Sequence, residues 1–203
     1  TLDGGAGDDV LGSGRGADTL DGGAGNDVLR GGMGDDVVYG GEGDDALSGD
    51  QQDDFLDGGA GDDALQGGAG SDTLYGGEGD DVLDGGSKSD VLTGGGGKDT
   101  FVQDFSKPGS DRITDFNPDQ DTINFTGLDN LDNISVGETD GGTLINAGPS
   151  NSLFVQGVAL DQFSVDNITI DGQAVSSGSD GFDLGSVLGD AASGSDALDS
   201  SLG

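Results

Sequence analysis

The sequence predicts an all-β chain: a solenoid of flattened coils, followed by a second β-rich segment. Three observations predict it. Eleven nine-residue blocks run in unbroken register from Gly4 to Val102. The sixth residue of every block is Asp, and the eighth is always apolar. From Gln103 the blocks stop, and the larger apolar residues gather in stretches that alternate with polar ones. Self-similarity at a short fixed period means one small unit stacked many times, each unable to bury its apolar face alone.

Each block divides in two. GGAGDDVLG, GGAGNDVLR and GGEGDDVLD show the pattern. The first six residues are rich in Gly, which suits a tight turn with positive φ and close backbone approach. The last three form a short strand with one inward side chain, the apolar one. Turn plus strand is half of a flattened coil, so two blocks complete one coil. Leu11, Leu29, Leu47, Leu65, Leu83 and Phe101 then line one sheet. Leu2, Leu20, Val38, Leu56, Leu74 and Leu92 line the other.

The same spacing sorts the aspartates into two columns. Asp9, Asp27, Asp45, Asp63, Asp81 and Asp99 fall on one edge, and Asp18, Asp36, Asp54, Asp72 and Asp90 on the opposite edge. Coils stack about 4.8 Å apart. Neighbouring carboxylates then repel by about 1 kcal/mol in water and about 3.5 kcal/mol at an effective dielectric of 20. Such columns need cations to close. Carboxylates and turn carbonyls are hard oxygen ligands, which select calcium over zinc or copper. One apolar side chain per block is also a thin core, so metal binding becomes part of the folding free energy.

The pattern GGxGxDxUx over residues 4–102 resembles the RTX (repeats-in-toxin) family of calcium-binding repeats, with TLD at residues 1–3 reading as the end of an earlier repeat. The resemblance implies a parallel β-roll, a solenoid similar to a β-helix, with Ca2+ between successive turns. It implies that the sixth-position aspartates, named above, are the carboxylate ligands, joined by turn carbonyls. Six turns on one edge and five on the other allow about nine ions at most. An EF-hand is excluded by the absence of a twelfth-position Glu and of helical flanks. Collagen is excluded because Gly does not recur every third residue. Disorder would not hold Asp and Leu in phase for eleven blocks.

The two edges differ. Ser13 replaces a leading Gly in block two, Asp50 and Gln52 replace glycines in block six, and Lys88 replaces one in block ten. All three blocks lie on the Asp18 edge, spaced four blocks apart. Side chains in place of Gly, and the Lys88 charge, predict weaker metal binding along that edge. Neutral drift in a tolerant repeat is the other reading.

Residues 103–172 read as a capping domain. SDRITDFNPDQDTINF, at 110–125, alternates apolar and polar around a turn at Asn117-Pro118. It resembles the segment that often follows the last RTX repeat, which implies a β cap over the open end of the roll. Asp111 and Asp121 are candidate extra metal ligands; plain turn and strand-edge carboxylates are the alternative. Further strands are expected near Ile134–Glu138, Thr143–Asn146, Leu153–Val158 and Ile168–Ile170. Phe105, Phe116, Phe125, Phe154 and Phe163 give this part a conventional core.

Residues 173–203 are rich in Ser, Gly and Asp, with a short helix expected over Phe182–Ala192. In RTX-like proteins the extreme C-terminus carries an uncleaved signal for the type I secretion apparatus. SDALDSSLG is either that or a flexible tail.

Composition excludes much chemistry. There is no His, Cys or Trp, and the formal net charge is −35. Without His there is no Ser-His-Asp triad and no HExxH zinc site. Without Cys there are no disulfides and no thiol catalysis. The expectation is no enzyme in this chain, with any catalytic domain upstream. The acidity argues against nucleic acid and anionic membranes as partners. No apolar stretch approaches the length of a membrane span. No secretory leader is visible, and Thr1 is read as lying within a longer protein.

The expected function is a calcium-binding module of a bacterial protein exported unfolded. It would be extracellular or on the cell surface, folding on calcium and supporting secretion and folding of the whole. Two rivals stand beside it. One is a surface or matrix module binding polysaccharide, with Tyr39 and Tyr75 as contacts. The other is the accessory C-terminal part of a secreted protease, lipase or polysaccharide-modifying enzyme.

Overall fold

Parallel pairing at a constant offset of two blocks organises the chain: Leu2 lies beside Leu20, Leu20 beside Val38 and Val38 beside Leu56. A computed structural model of the protein describes residues 1–128 and 134–174. The expected helix over Phe182–Ala192 and nearly all of the 173–203 tail lie outside the described residues.

The repeats form β1 (Leu2–Ala6), β2 (Val10–Arg15), β3 (Thr19–Ala24), β4 (Val28–Met33), β5 (Val37–Glu42), β6 (Ala46–Gln51), β7 (Phe55–Ala60), β8 (Ala64–Ala69), β9 (Thr73–Glu78), β10 (Val82–Ser87), β11 (Val91–Gly96) and β12 (Thr100–Asp104). Most strands have six residues, where the block pattern predicts three. Each runs on through the leading glycines of the next block, because glycine stacks on glycine in register, as Gly5 does on Gly23. The turn proper is confined to the fourth to sixth positions.

Odd-numbered strands form one parallel sheet and even-numbered strands the other. The result is a parallel β-roll, as the sequence predicts. The predicted apolar columns face each other between the sheets. From Leu20 to Phe101 the inward residues are 0–3% exposed. Leu2 and Leu11, in the first described coil, are only partly buried.

The stack continues past the last repeat. β13 (Gly109–Ile113) pairs parallel with β11, and β14 (Thr122–Thr126) with β12. The sheet of odd strands then ends in β17 (Asn151–Gln156), β16 (Gly142–Ala147) and β15 (Ile134–Thr139), joined antiparallel. The other sheet ends in β18 (Ile168–Ile170) and β19 (Gln173–Ala174). These strands match the expected cap segments to within two residues. Phenylalanines fill the cap: Phe105 stacks on Phe125 and Phe116 on Phe163, each with ring centroids 5.4 Å apart.

Candidate calcium-binding edges

The turn sequence sets the local geometry. Apart from Gly70, the second and fourth residues of the blocks hold positive φ, which Gly adopts freely; Gly23 is at 102° and Gly25 at 127°. Asp50, Gln52 and Lys88 hold the same left-handed conformation at 73°, 78° and 81° without being Gly. That conformation costs an L-residue roughly 1–2 kcal/mol. The substituted blocks therefore keep the turn but carry strain.

The sixth-position aspartates form the two predicted columns. Those from Asp27 to Asp99 are buried. Each Oδ1 accepts the main-chain N–H of the aspartate one coil earlier. Asp9 donates to Asp27 at 2.7 Å, Asp45 to Asp63 at 2.8 Å and Asp54 to Asp72 at 2.8 Å. The other oxygen, Oδ2, is buried without a hydrogen-bond partner in Asp9, Asp27, Asp36, Asp45, Asp54, Asp63, Asp72, Asp81 and Asp90. An unsatisfied buried carboxylate oxygen is costly, and repeated nine times it requires an explanation.

The leading glycines of the Asp9 edge supply the second part of the site. A Cβ built on Gly22 would lie 2.6 Å from the carbonyl oxygen of Gly40 and against Oδ2 of Asp27. The carbonyl from the next coil falls at 2.7, 2.6, 2.5, 2.6 and 2.6 Å for Gly4, Gly22, Gly40, Gly58 and Gly76. From Gly4 to Gly76 on the Asp9 edge, then, a carboxylate oxygen and a carbonyl oxygen converge on a space that only Gly leaves open. No group of three acidic side chains converges among the described residues. Main-chain carbonyls must therefore complete any coordination shell. This all-oxygen donor set, with orphaned anionic oxygens aimed into an open cradle, fits calcium.

The Asp18 edge is less regular, as the sequence suggests. At Gly31 and Gly49 the three atoms nearest the same point all belong to Asp36 and Asp54, out to 3.0 and 2.8 Å, so the next coil's carbonyl stands no closer than that. Gly67 retains it, with the Gly85 carbonyl at 2.6 Å. Ser13 puts its own side chain in the space and donates its hydroxyl to the Gly31 carbonyl. Lys88 Nζ lies 3.7 Å from Oδ1 of Asp53.

Electrostatics follow the burial. Desolvation pushes Asp54, Asp63 and Asp90 up to about 7, and Asp72 and Asp99 to about 6. The N–H hydrogen bond opposes the shift, and neighbouring aspartates mostly add to it. Asp36, Asp45 and Asp81 are raised for the same first reason. Without a cation these columns resist being charged.

Asp111 and Asp121 join the columns, one on each edge. Asp90 donates its N–H to Asp111 at 2.9 Å and Asp99 to Asp121 at 3.1 Å. Both of their second oxygens have protein donors, Gln103 Nε2 at 2.8 Å and Asn117 N at 2.7 Å.

One ladder escaped the sequence reading. The exposed fifth-position residues Asp8, Asn26, Asp44 and Asp62 each accept, through Oδ1, the N–H of the residue one coil later. The recurrence of Asp or Asn before the invariant Asp is the signal that could have found it.

The family model for the RTX calcium-binding nonapeptide repeat matches residues 1–20, 13–47, 39–74, 48–83 and 75–102. No curated protein matches the sequence. Among solved structures, the AlgE6R3 subunit of the Azotobacter vinelandii mannuronan C5-epimerase is 32% identical. The match covers 66% of this chain and 90% of that one, with a TM-score of 0.47. The AlgE6R2 subunit of the same epimerase is 33% identical over 64% of this chain and 94% of that one, TM-score 0.47. The extracellular lipase LipA of Serratia marcescens is 22% identical over 80% of this chain and 38% of that one, TM-score 0.44.

Proposed function

The chain belongs to the RTX calcium-binding nonapeptide-repeat family, and on that premise we propose that it is a calcium-driven folding module of a protein exported unfolded. The eleven repeat aspartates, Asp9 to Asp99, are the carboxylate ligands in this reading, and turn carbonyls complete each shell. Calcium, when bound, supplies the positive charge that lets the stacked carboxylates stay ionised and buried. The chain's own residues hold the rest. The Oδ1 hydrogen bonds fix each carboxylate, the leading glycines keep the cradle open, and the apolar columns set the coil spacing.

One observation carries the reading: nine buried Oδ2 atoms lack partners, and next-coil carbonyls fall beside them at the five cradles from Gly4 to Gly76. Cytosolic calcium is far below the millimolar levels outside cells, so the repeats would stay threadable before export and fold after it. Circular dichroism tests this. Chelated protein should be disordered over the repeats, millimolar calcium should produce β structure, and magnesium should not, because it dehydrates reluctantly. A β spectrum unchanged by chelation would refute the proposal.

The secretion role extends the proposal to the C-terminal tail beyond Gln173. Truncation there should abolish export through a type I apparatus while leaving calcium-induced folding intact. Full export of the truncated protein would leave the tail as a linker. A catalytic or adhesive domain upstream is the partner this reading implies.

A second reading has one observation in its favour. Tyr39, Phe55 and Tyr75 form a continuous aromatic strip on the outer face of the odd-strand sheet, with centroid separations of 6.0 and 5.6 Å. Both tyrosines are about two-fifths exposed (40% and 41%). Exposed rings at this spacing suit the apolar faces of a sugar chain. Chemical shifts of the tyrosine rings during titration with neutral oligosaccharides test it, and unmoved shifts remove it.

A further inference from the structure

We propose that the calcium columns end at Asp90 and Asp99, because the cap supplies its own donors to the next carboxylate on each edge. The inference rests on the calcium reading above and concerns where that reading stops. Asp111 and Asp121 occupy the next rung by main-chain pairing: Val91 lies beside Arg112 and Phe101 beside Ile123. They accept the same N–H bond on Oδ1 as the repeat aspartates from Asp27 to Asp99. They differ at Oδ2. That atom is an orphan in nine repeat aspartates, whereas in Asp111 it takes the buried amide of Gln103 and in Asp121 the main-chain N–H of Asn117.

The cradle is lost as well. Five residues before each repeat aspartate on the regular edge stands Gly. Five before Asp121 stands Phe116, which is 4% exposed and packed against Phe101 and Phe163. Five before Asp111 stands Ser106. At Gly94, the last leading glycine of the regular edge, the three nearest atoms all belong to Asp99 and none to a carbonyl of the cap. The two-block offset between successive column members lengthens at this point, to 21 positions from Asp90 to Asp111 and 22 from Asp99 to Asp121. The longer connections carry the new residues. Gln103 itself is 4% exposed and sits on β12, beside Phe125 in register. An amide N–H in this position satisfies the carboxylate as a cation would, without dehydrating an ion. The junction between roll and cap is thereby sealed by protein hydrogen bonds, and Gln103 and Asn117 are positioning residues that set the length of the ion columns.

Native mass spectrometry of the full chain with calcium, counting bound ions, tests the inference. Asp111→Asn and Asp121→Asn should keep the wild-type count, while Asp63→Asn loses at least one ion. Gln103→Glu, which puts a carboxylate where the amide donor stood, should add one ion. A lower count in either of the first two variants overturns the inference, and so does an unchanged count in Gln103→Glu. Near-ultraviolet circular dichroism of the phenylalanine-rich cap checks that each variant is folded. A wild-type chain that binds no calcium would instead refute the underlying reading, so the two failures are distinguishable.

Discussion

Asp45 donates its main-chain N–H to Oδ1 of Asp63 at 2.8 Å, and the second oxygen of Asp63 is buried with no partner. One carboxylate thus has two assignments. Oδ1 locks neighbouring coils in register, and Oδ2 is left for a ligand from outside the chain. The pairing repeats up both edges, so register and ion binding are coupled at every coil. Loss of one ion should loosen two coils together.

Acid should partly replace calcium. An aspartate in an unfolded chain titrates near 3.9, whereas burial raises Asp54, Asp63 and Asp90 to about 7 in the calcium-free coil. A raised folded value means these groups favour the folded state fully below about 4 and lose that contribution as pH rises through about 7. Calcium-free protein should therefore gain β signal as pH falls from 8 to 5. Absence of any gain across that range would contradict the burial of the columns.

Gly58→Ala should block one cradle. Its Cβ would meet Oδ2 of Asp63 and lie 2.6 Å from the Gly76 carbonyl. Gly96→Ala is the control, since nothing lies within 4 Å of its Cβ. Overpacking alone costs about 1–3 kcal/mol, and loss of an ion adds to it. Calcium titration should show a higher midpoint and one ion fewer for Gly58→Ala only. Equal behaviour of the two variants would mean that the cradle does not hold the ion.

The repeat made most of the roll legible. Period nine alone places Asp63 under Asp45 and Leu56 beside Leu74, because each turn closes identically. The odd–even sorting of strands followed from the same number. What stayed hidden lies where the period breaks. Asp111 stands one longer connection after Asp90, so spacing could not show that it continues that column. The Gln103 amide contact is a tertiary one that no motif marks. The strands also run longer than the block pattern suggested, because leading glycines read as turn residues yet stack in the ladder.

Lys88→Gly should strengthen calcium binding. Lys88 holds φ at 81°, which costs roughly 1–2 kcal/mol relative to Gly. Its ammonium also sits beside Asp53 on the edge where cations are to bind. The exposed pair that would be lost is worth little. A lower calcium midpoint for this variant is the expected result, read by intrinsic tyrosine fluorescence or circular dichroism. A higher midpoint would show that Lys88 stabilises the edge in place of an ion.

Asp63→Ala should cost more than Asp54→Ala. Both residues are central in their columns, both are buried, and each accepts an N–H at 2.8 Å from the coil before. Each borders the sites on either side of it, so the deletions are matched. The surroundings differ. Beside Asp63 the Gly58 cradle includes the Gly76 carbonyl at 2.6 Å, whereas beside Asp54 the atoms nearest the Gly49 position all belong to Asp54 itself. Block six also holds Asp50 and Gln52 in left-handed conformations. The carbonyl from the next coil therefore stands no closer than 2.8 Å at Gly49, against 2.6 Å at Gly58, so the Asp54 cradle is the looser one. Asp63→Ala should raise the calcium midpoint by the larger factor, and partial chelation of the wild type should empty the Asp54 edge first. Equal midpoints, or a larger rise for Asp54→Ala, would show that the glycine-lined cradles do not set affinity.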